Sequence, residues 1–544
     1  MGGGAAARLQ VRRHCRLLDH HACRRRSPRR AGAVPHHRRG RTASSQGRDP
    51  REGAFDHRHE LRDRAGVAVT DLIDQRARQL SRLNDEGIVV VANLINAGGF
   101  QSGDRLPGVR NQAQLRGLSI ATVIAAYRQL EDWGLLEVRN RSGFYVKAKP
   151  AVAAAPPRIV VTTMRPAPVT GQDMVLQLIK AANDPAVVQL GAAVPAAEFL
   201  PTRAIEQALT KAARQYRVRT ANYEFSPGAP ELRRHLSRRL ADAGCAVHPD
   251  NLVITNGCQE ALTLALRAVT SPGDVVAIES PTFYGLLQVI ESLGLEALEI
   301  PTNPHSGMSL EALELALSRW PVKACVVTPN FSNPLGCLMP DEHKQKLVAM
   351  LKTRDIPLIE DDIYGDLSFS HARPSLLKGL DDNVILCSSI SKTLSPGLRV
   401  GWIAPGRYQD KVEYMKYVLN LATTTIPQLA VTELLDNGQY ERHLRRVRGD
   451  YAQAVTRMTE AVIHYFPEGT KISRPEGGFV IWLELPGDVD SFALARKALE
   501  QGISIAPGPI FSASQKYRQF IRLSCACVWG NRIERALMSL AGLL

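Results

Sequence analysis

The run Ile385-Leu386-Cys387-Ser388-Ser389-Ile390-Ser391-Lys392, with Pro396-Gly397-Leu398-Arg399 just beyond it, changes character at its midpoint. Apolar residues give way to hydroxyls, a lysine and then an arginine. A strand buried on both faces that delivers polar groups at its end reads this way. The pattern extends outward in both directions. Val275 to Glu279, Ala297 to Ile300, Ala324 to Thr328, Pro357 to Asp361 and Val384 to Ser388 are predicted strands. Amphipathic stretches such as Leu310 to Trp320 and Asp341 to Thr353 separate them as helices. Short apolar strands alternating with helices specify a mainly parallel sheet covered on both faces, an α/β fold. Ligands of such sheets sit beyond the carboxyl ends of the strands. The residues at those ends therefore carry the functional reading.

Four ends hold polar clusters of different chemistry. Val253-Ile254-Thr255 runs into Asn256-Gly257-Cys258-Gln259-Glu260-Ala261 and a helix. Ala324 to Thr328 precedes Pro329-Asn330-Phe331-Ser332-Asn333-Pro334-Leu335-Gly336, and Leu358-Ile359-Glu360 precedes Asp361-Asp362-Ile363-Tyr364. The fourth is the run quoted first. A pyridine aldehyde phosphate requires such parts: a lysine amine to form a Schiff base and a carboxylate to keep the ring nitrogen protonated. It also needs donors for the ring oxygen, helix-terminal amides and an arginine for the phosphate, and an aromatic cover.

In this order the motifs resemble fold-type I pyridoxal-phosphate enzymes of the class I/II aminotransferase group, over residues 176–544. The resemblance implies that Lys392 forms the Schiff base, that Asp361 pairs with the ring nitrogen, and that Asn333 and Tyr364 bond the ring oxygen. It assigns the phosphate to the amides of Gly257, Cys258 and Gln259, completed by Ser389 and Arg399. Phe283, in Pro281-Thr282-Phe283-Tyr284, matches the stacking aromatic. Arg522, in Ile521-Arg522-Leu523-Ser524, matches the arginine that holds the α-carboxylate of a substrate or effector. Tyr223 matches a residue that reaches the phosphate held by the other subunit of a dimer. Leu335 stands where relatives commonly have Thr, a side chain the cofactor constellation does not use.

Residues 82–150 read as a separate small module. Ile88, Val91, Ala92 and Ile95 recur at helical spacing, and Gly98-Gly99 supplies the stop. After Gly103-Asp104-Arg105-Leu106-Pro107 comes a short helix with Val109 and Leu115. Ser119 is a predicted N-cap for a helix with Val123, Tyr127 and Leu130 on one face. Leu135 to Val138, the turn Arg139-Asn140-Arg141-Ser142-Gly143, and Phe144 to Lys147 read as a two-stranded wing. This is a winged helix-turn-helix. Gly103 to Pro107, Thr122-Val123 and Ala126-Tyr127-Arg128-Gln129-Leu130-Glu131 make it resemble the DNA-binding domain of GntR-type regulators. The likeness implies phosphate contacts by Arg105 and Arg110, a major-groove position for Thr122, and wing roles for Arg141 and Ser142. Many relatives have Arg or Asn where this chain has Ile120 and Ala121. The outward Ala121 and Ala125 offer no donors to base edges.

At 544 residues the chain is too long for one core. Its net charge of +15 is concentrated at one end: residues 1–66 hold 17 Arg and 6 acids. That tail has too little apolar surface to offset chain entropy, so a disordered basic extension is expected. Residues 151–544 hold 40 bases and 39 acids, an electrostatically ordinary balance. Residues 151–175, rich in Ala, Pro, Val and Thr, suit an extended linker. No apolar run approaches the roughly 20 residues that span a bilayer, which excludes an integral membrane function. Nine scattered cysteines do not form a disulfide framework, and a reducing cytoplasm is expected. Cys525 and Cys527, on an apparent strand, lack partners for zinc, so no metal site is expected.

A GntR-type reader joined through a linker to an aminotransferase-like domain resembles the MocR subgroup of bacterial transcription regulators. That likeness implies a homodimer that binds a double-stranded DNA operator and senses pyridoxal 5′-phosphate or an amino compound. The alternative is a working aminotransferase with an accessory DNA-binding module. A third reading is a cofactor-binding scaffold with neither activity.

Overall fold

A computed structural model describes residues 103–116, 119–132, 136–139, 143–146, 154–160, 164–170, 173–370 and 372–544. The chain divides into two compact units, 1–147 and 148–544. The expected tail at 1–66, the expected helix around Ile88 to Ile95, and the wing-turn residues Arg141 and Ser142 lie outside the described residues.

In the small unit α1 (Val109–Arg116) and α2 (Ile120–Asp132) precede a hairpin of β1 (Leu136–Arg139) and β2 (Gly143–Val146). Helix α2 begins where the sequence predicts. Ser119 Oγ accepts the Thr122 amide at 3.0 Å, satisfying one of the donors that a helix start leaves open. Val123, Tyr127 and Leu130 are buried together with Leu106, Ala113, Leu136 and Val146. The Tyr127 ring meets Phe144 edge-on at 5.1 Å, and its hydroxyl donates to the Pro107 carbonyl at 3.1 Å. One side chain thus ties the entry turn, the helix and the wing.

The large unit opens with β3 (Ala167–Pro168), followed by α3 (Thr202–Gln215) and α4 (Pro230–Asp242). Then come β4 (Val253–Thr255), α5 (Cys258–Val269), β5 (Val275–Ser280), α6 (Tyr284–Ser292), β6 (Glu296–Asn303), β7 (Val322–Val327), β8 (Leu358–Asp361), β9 (Ile385–Ser389) and β10 (Gly401–Ala404). Helices α7 (Gln409–Asn420) and α8 (Thr425–Asp436) lead towards the C-terminal part. The strands form a nine-stranded sheet in the order β3-β6-β5-β7-β8-β9-β10-β4, with Gly307–Met308 added beside β6. Strands β5 to β9 run parallel, while β3 and β10 run against their neighbours. Alternate side chains of β5, β6 and β7 fill two separate cores, while the second face of β4, β9 and β10 joins a third.

Two features escape the sequence. Residues 471–524 build a second, antiparallel sheet of β11 (Lys471–Ile472), β12 (Val480–Glu484), β13 (Ala506–Pro507) and β14 (Phe520–Ser524), ordered β11-β12-β14-β13. Cys525 is buried one residue past β14 rather than on it, and no His, Cys, Asp or Glu group among the described residues fits a metal. Of the segment expected as a linker, the described residues 154–160 and 164–170 are extended but fastened to the large unit, and residues 173–175 open a helix, Asp173–Ala182. The Ile472 amide donates to Ala155 O at 3.0 Å, and Arg158 pairs with Glu484 through its amide at 2.7 Å and its guanidinium at 3.2 Å. Trp320 Nε1 donates to Met164 O at 3.1 Å, and Ala167-Pro168 pair with β6. Proline is tolerated on an edge strand, so a Pro-rich composition hides this pairing.

Candidate functional site

The end of β8 shows how the fold selects one carboxylate from three in a row. Parallel pairing sets Asp361 opposite Cys387. Ile359 packs beneath α5, and Asp361, two residues on, shares its face. Glu360 points the other way and accepts the Leu377 and Lys378 amides at 3.0 and 2.9 Å. Asp362 is paired with Arg373 and accepts the Asn330 side-chain amide at 2.8 Å. Only Asp361 lines the cavity, and a one-residue slip would replace it.

That cavity holds about 170 Å³ and is lined by Cys258, Gln259, Phe283, Asn333, Asp361, Tyr364, Lys392 and Arg399 among others. Lys392 Nζ donates to Ala193 O at 2.7 Å. Burial and then the charge of Arg522 push its ammonium down to about 8, with Asp361 opposing. Burial pushes the Asp361 carboxyl up to about 7, against the Cys258 thiol 3.3 Å away. An amine and a carboxyl that both titrate near neutrality suit proton exchange with a bound ligand. Burial also raises the Tyr364 hydroxyl, which Asn333 hydrogen-bonds.

Helix α5 starts at Gly257, whose φ of 82° lies in the left-handed region. A Cβ there would stand 2.4 Å from Arg399 Nη2, so glycine alone lets that guanidinium cross the helix start. Arg399 Nη2 also donates to Asn256 O at 2.6 Å. The open amides of Cys258 and Gln259 with this cation form a cup for an anion.

Some expected residues sit elsewhere. Ser389 does not line the cavity: its Oγ bonds Ser391 Oγ at 2.7 Å and accepts the Ser391 amide at 2.9 Å. Ser391 and Thr328, which the sequence reading left without a role, are in the wall. Arg522 is fully buried behind Asn333, to whose Oδ1 it donates at 3.3 Å, and it also donates to Gly191 O. The Phe511 ring lies 5.4 Å from its guanidinium, and its Nε has no acceptor among the described residues. Tyr284, the neighbour of Phe283, hydrogen-bonds Arg522 and is a further addition. Tyr223 is 67% exposed, packs on Phe225 with centroids 5.4 Å apart, and takes no part in its own chain's cavity.

In the small unit Arg105 and Arg110 are exposed. Arg105 bridges to Tyr145, and its Nε lies 3.4 Å from where a Gly143 Cβ would be, so entry turn and wing share one cation. The Thr122 hydroxyl lies 2.7 Å from Ser119 Oγ, within the cap. Ile120, Ala121, Ile124 and Ala125 are exposed along α2, and Arg128 is the cation on that surface.

Comparison with known proteins bears on both units. The family model for aminotransferase class I and II matches residues 186–540, and that for bacterial regulatory proteins of the gntR family matches 90–146. The uncharacterized HTH-type transcriptional regulators YjiR and YdcR of Escherichia coli K12 are each 39% identical to this chain. The alignments cover 82% and 83% of it and 96% of each relative. Among solved structures, the Thermus thermophilus α-aminoadipate aminotransferase LysN, complexed with N-(5′-phosphopyridoxyl)-L-leucine, is 29% identical with a TM-score of 0.64. It covers 69% of this chain and 95% of its own. The kynurenine aminotransferase of Pyrococcus horikoshii is 30% identical with the same TM-score, over 69% and 94%. With two family models in one chain and near-full-length likeness to those regulators, the protein belongs to the class I and II aminotransferase family, as one of the HTH-type transcriptional regulators in which a GntR-type module precedes that domain.

Proposed function

We propose that the protein is a homodimeric cytoplasmic regulator of the MocR kind, with a winged helix-turn-helix at 82–150, a linker at 151–175 and a pyridoxal-phosphate-binding domain at 176–544. It binds a double-stranded DNA operator and responds to the cofactor or to an amino compound. The observation that carries this reading is the convergence of Lys392, Asp361, Tyr364, Asn333 and Arg399 in a chain that also holds a capped helix and a wing.

The donor set fits the cofactor. When bound, it supplies an aldehyde for an amine and a pyridine ring that draws electrons from the attached carbon. Lys392 presents an amine that loses its proton near neutrality, and the Asp361 carboxylate accepts from the ring nitrogen and keeps it protonated. Arg399 and the α5 amides bind the phosphate, with Ser389 acting through Ser391. Tyr364 and Asn333 donate to the ring oxygen, and Phe283 covers the ring. Arg522, with its unpartnered Nε, receives an incoming carboxylate. In the small unit Arg105 and Arg110 bind phosphates, Thr122 faces the major groove, and Arg141 and Ser142 extend the wing.

An exposed apolar surface supports the dimer. Tyr223, Phe225, Tyr414, Tyr417, Val418 and Leu421 are all exposed, and Phe225 bridges to Ala422, two residues past α7. Apolar patches of this kind mark interfaces, and Tyr223 would there reach the other subunit's phosphate. No helix among the described residues is long and apolar enough to cross a membrane.

A working aminotransferase is the second reading, favoured by the convergence of Lys392, Asp361, Tyr364, Asn333 and Arg399 in one cavity. The deciding experiment measures operator affinity of the apo, cofactor-loaded and amine-loaded protein. Allosteric coupling of roughly 1–3 kcal/mol predicts shifts of about 5–150-fold. Equal affinities in all three states, with sustained transamination, would overturn the regulator and promote the enzyme.

A further inference from the structure

The near-neutral charge of residues 151–544 is unevenly spread. Residues 202–242 carry nine bases and four acids, leaving the rest of that stretch with an excess of acids. On α3, Arg203, Lys211 and Arg214 are exposed and line one open groove. At 1.5 Å per residue, Arg203 to Arg214 spans about 16 Å of helix axis. On α4, Arg234 and Arg238 stand one turn apart and line a second groove, of about 300 Å³, between α3, α4 and α8.

The acids of this second groove are already engaged. Glu433 pairs with Lys211 at 2.7 Å, Asp436 with His235 at 3.6 Å, and Glu231 with Arg219 at 3.1 Å. Arg203, Arg214, Arg234 and Arg238 form no ion pair with a described residue, and Glu206 is the exposed acid among them. Burial holds the His235 imidazole below its usual range, with Asp436 opposing and Arg238 and Arg234 adding to the effect.

We propose that the exposed face of α3 and α4 is a second binding surface for DNA, which takes the phosphate backbone of duplex flanking the segment held by the helix-turn-helix module. This rests on the DNA-binding reading above. Duplex DNA presents one phosphate per roughly 3.4 Å of axis on each strand, so about 16 Å spans some five of them. Exposed, unpaired arginines suit that occupant because they need only charge and a fork of donors, with no base edge to read. The surface adds affinity and length dependence, while sequence choice stays with the small unit.

The test uses the full chain and mixed-sequence duplexes of about 20 and 60 base pairs, followed by fluorescence anisotropy over a salt series. For the wild type the salt slope is expected to be steeper on the longer duplex. Replacing Arg203, Arg214, Arg234 and Arg238 by Gln should flatten the long-duplex slope by about 0.9 for each phosphate no longer neutralised, and leave the short-duplex slope unchanged. The Arg→Lys quadruple variant should keep the long-duplex slope. The visible band of bound pyridoxal phosphate and the melting temperature check that both variants fold as the wild type does. An unchanged long-duplex slope in the Gln variant overturns the proposal, as does equal loss on both lengths. If Arg105→Ala weakens both duplexes while the quadruple variant weakens neither, the regulator reading stands and this surface falls. If the wild type binds neither duplex, both fall.

Discussion

Lys392 and Asp361 are withdrawn from water, and their proton affinities approach each other, at about 8 and about 7. Arg105 and Arg110 stand in solvent at the edge of the small unit. The first region is built from unlike groups that converge, each held by a partner that fixes its direction. The second is built from like charges that a partner must complete. Losing one group from the buried region should therefore abolish a property or weaken it severely, whereas losing one from the exposed region should weaken it only modestly.

The largest expected effect tests the buried side. Lys392→Ala should eliminate both the visible absorption band of the bound cofactor and its fixation by borohydride. Fixation at another lysine would refute the assignment. Next is pH. Only the unprotonated amine attacks an aldehyde, so the rate of cofactor uptake should rise with pH through a midpoint near 8. Between pH 6 and 9 the neutral fraction climbs by roughly 90-fold for such a group, while an unperturbed lysine would still be mostly charged at pH 9. A midpoint near 10 would show that burial does not tune this amine. Asp361→Asn removes a charge-assisted bond of about 1.5–3 kcal/mol and should weaken cofactor binding by roughly 10–150-fold in a direct titration. Binding at wild-type strength would detach Asp361 from the ring nitrogen.

On the exposed side the effects shrink. Arg105→Ala should lower affinity for all DNA sequences alike and flatten the salt slope by about 0.9. A change in sequence preference instead would make Arg105 a base reader and blur the contrast. Ser119→Ala should cost about 1 kcal/mol through removal of the α2 cap, read as a lower melting transition of the small unit with the cofactor band unchanged.

The same contrast explains what could be read in advance. Val253–Thr255 forms as expected, and the other predicted strands of the main sheet agree to within a few residues at either end. Strands buried on both faces are spelled as apolar runs, and their ends are marked by polar residues. Asp361 is legible for that reason. Ser389 and Ser391 are not separable by composition. The chain folds back so that the Ser391 amide meets Ser389 Oγ, and that local geometry decides which hydroxyl faces the cavity. β11 and β13 are two residues long and carry no alternation to detect. The basic face of α3 and α4 vanished in an average, because net charge adds groups that the fold keeps apart.

The fastening of residues 154–160 and 164–170 changes the polymer physics of the chain. As free extended chain, the 25 residues expected between the units would reach about 85 Å at full stretch. With the strap anchored from Ala155 and Arg158 onward, seven residues separate Val146 from Ala154, and that length of chain reaches less than about 30 Å. The effective concentration of a tethered group falls roughly as the −3/2 power of tether length once the tether spans its sites. Counted from Val146, anchoring cuts the tether from residues 147–175 to residues 147–153, about fourfold, which in the proposed dimer raises by about eightfold the local concentration at which one reader, once its twin is bound, meets a second half-site. The Arg158–Glu484 pair, remote from the cavity, would thereby tune the avidity of the proposed dimer.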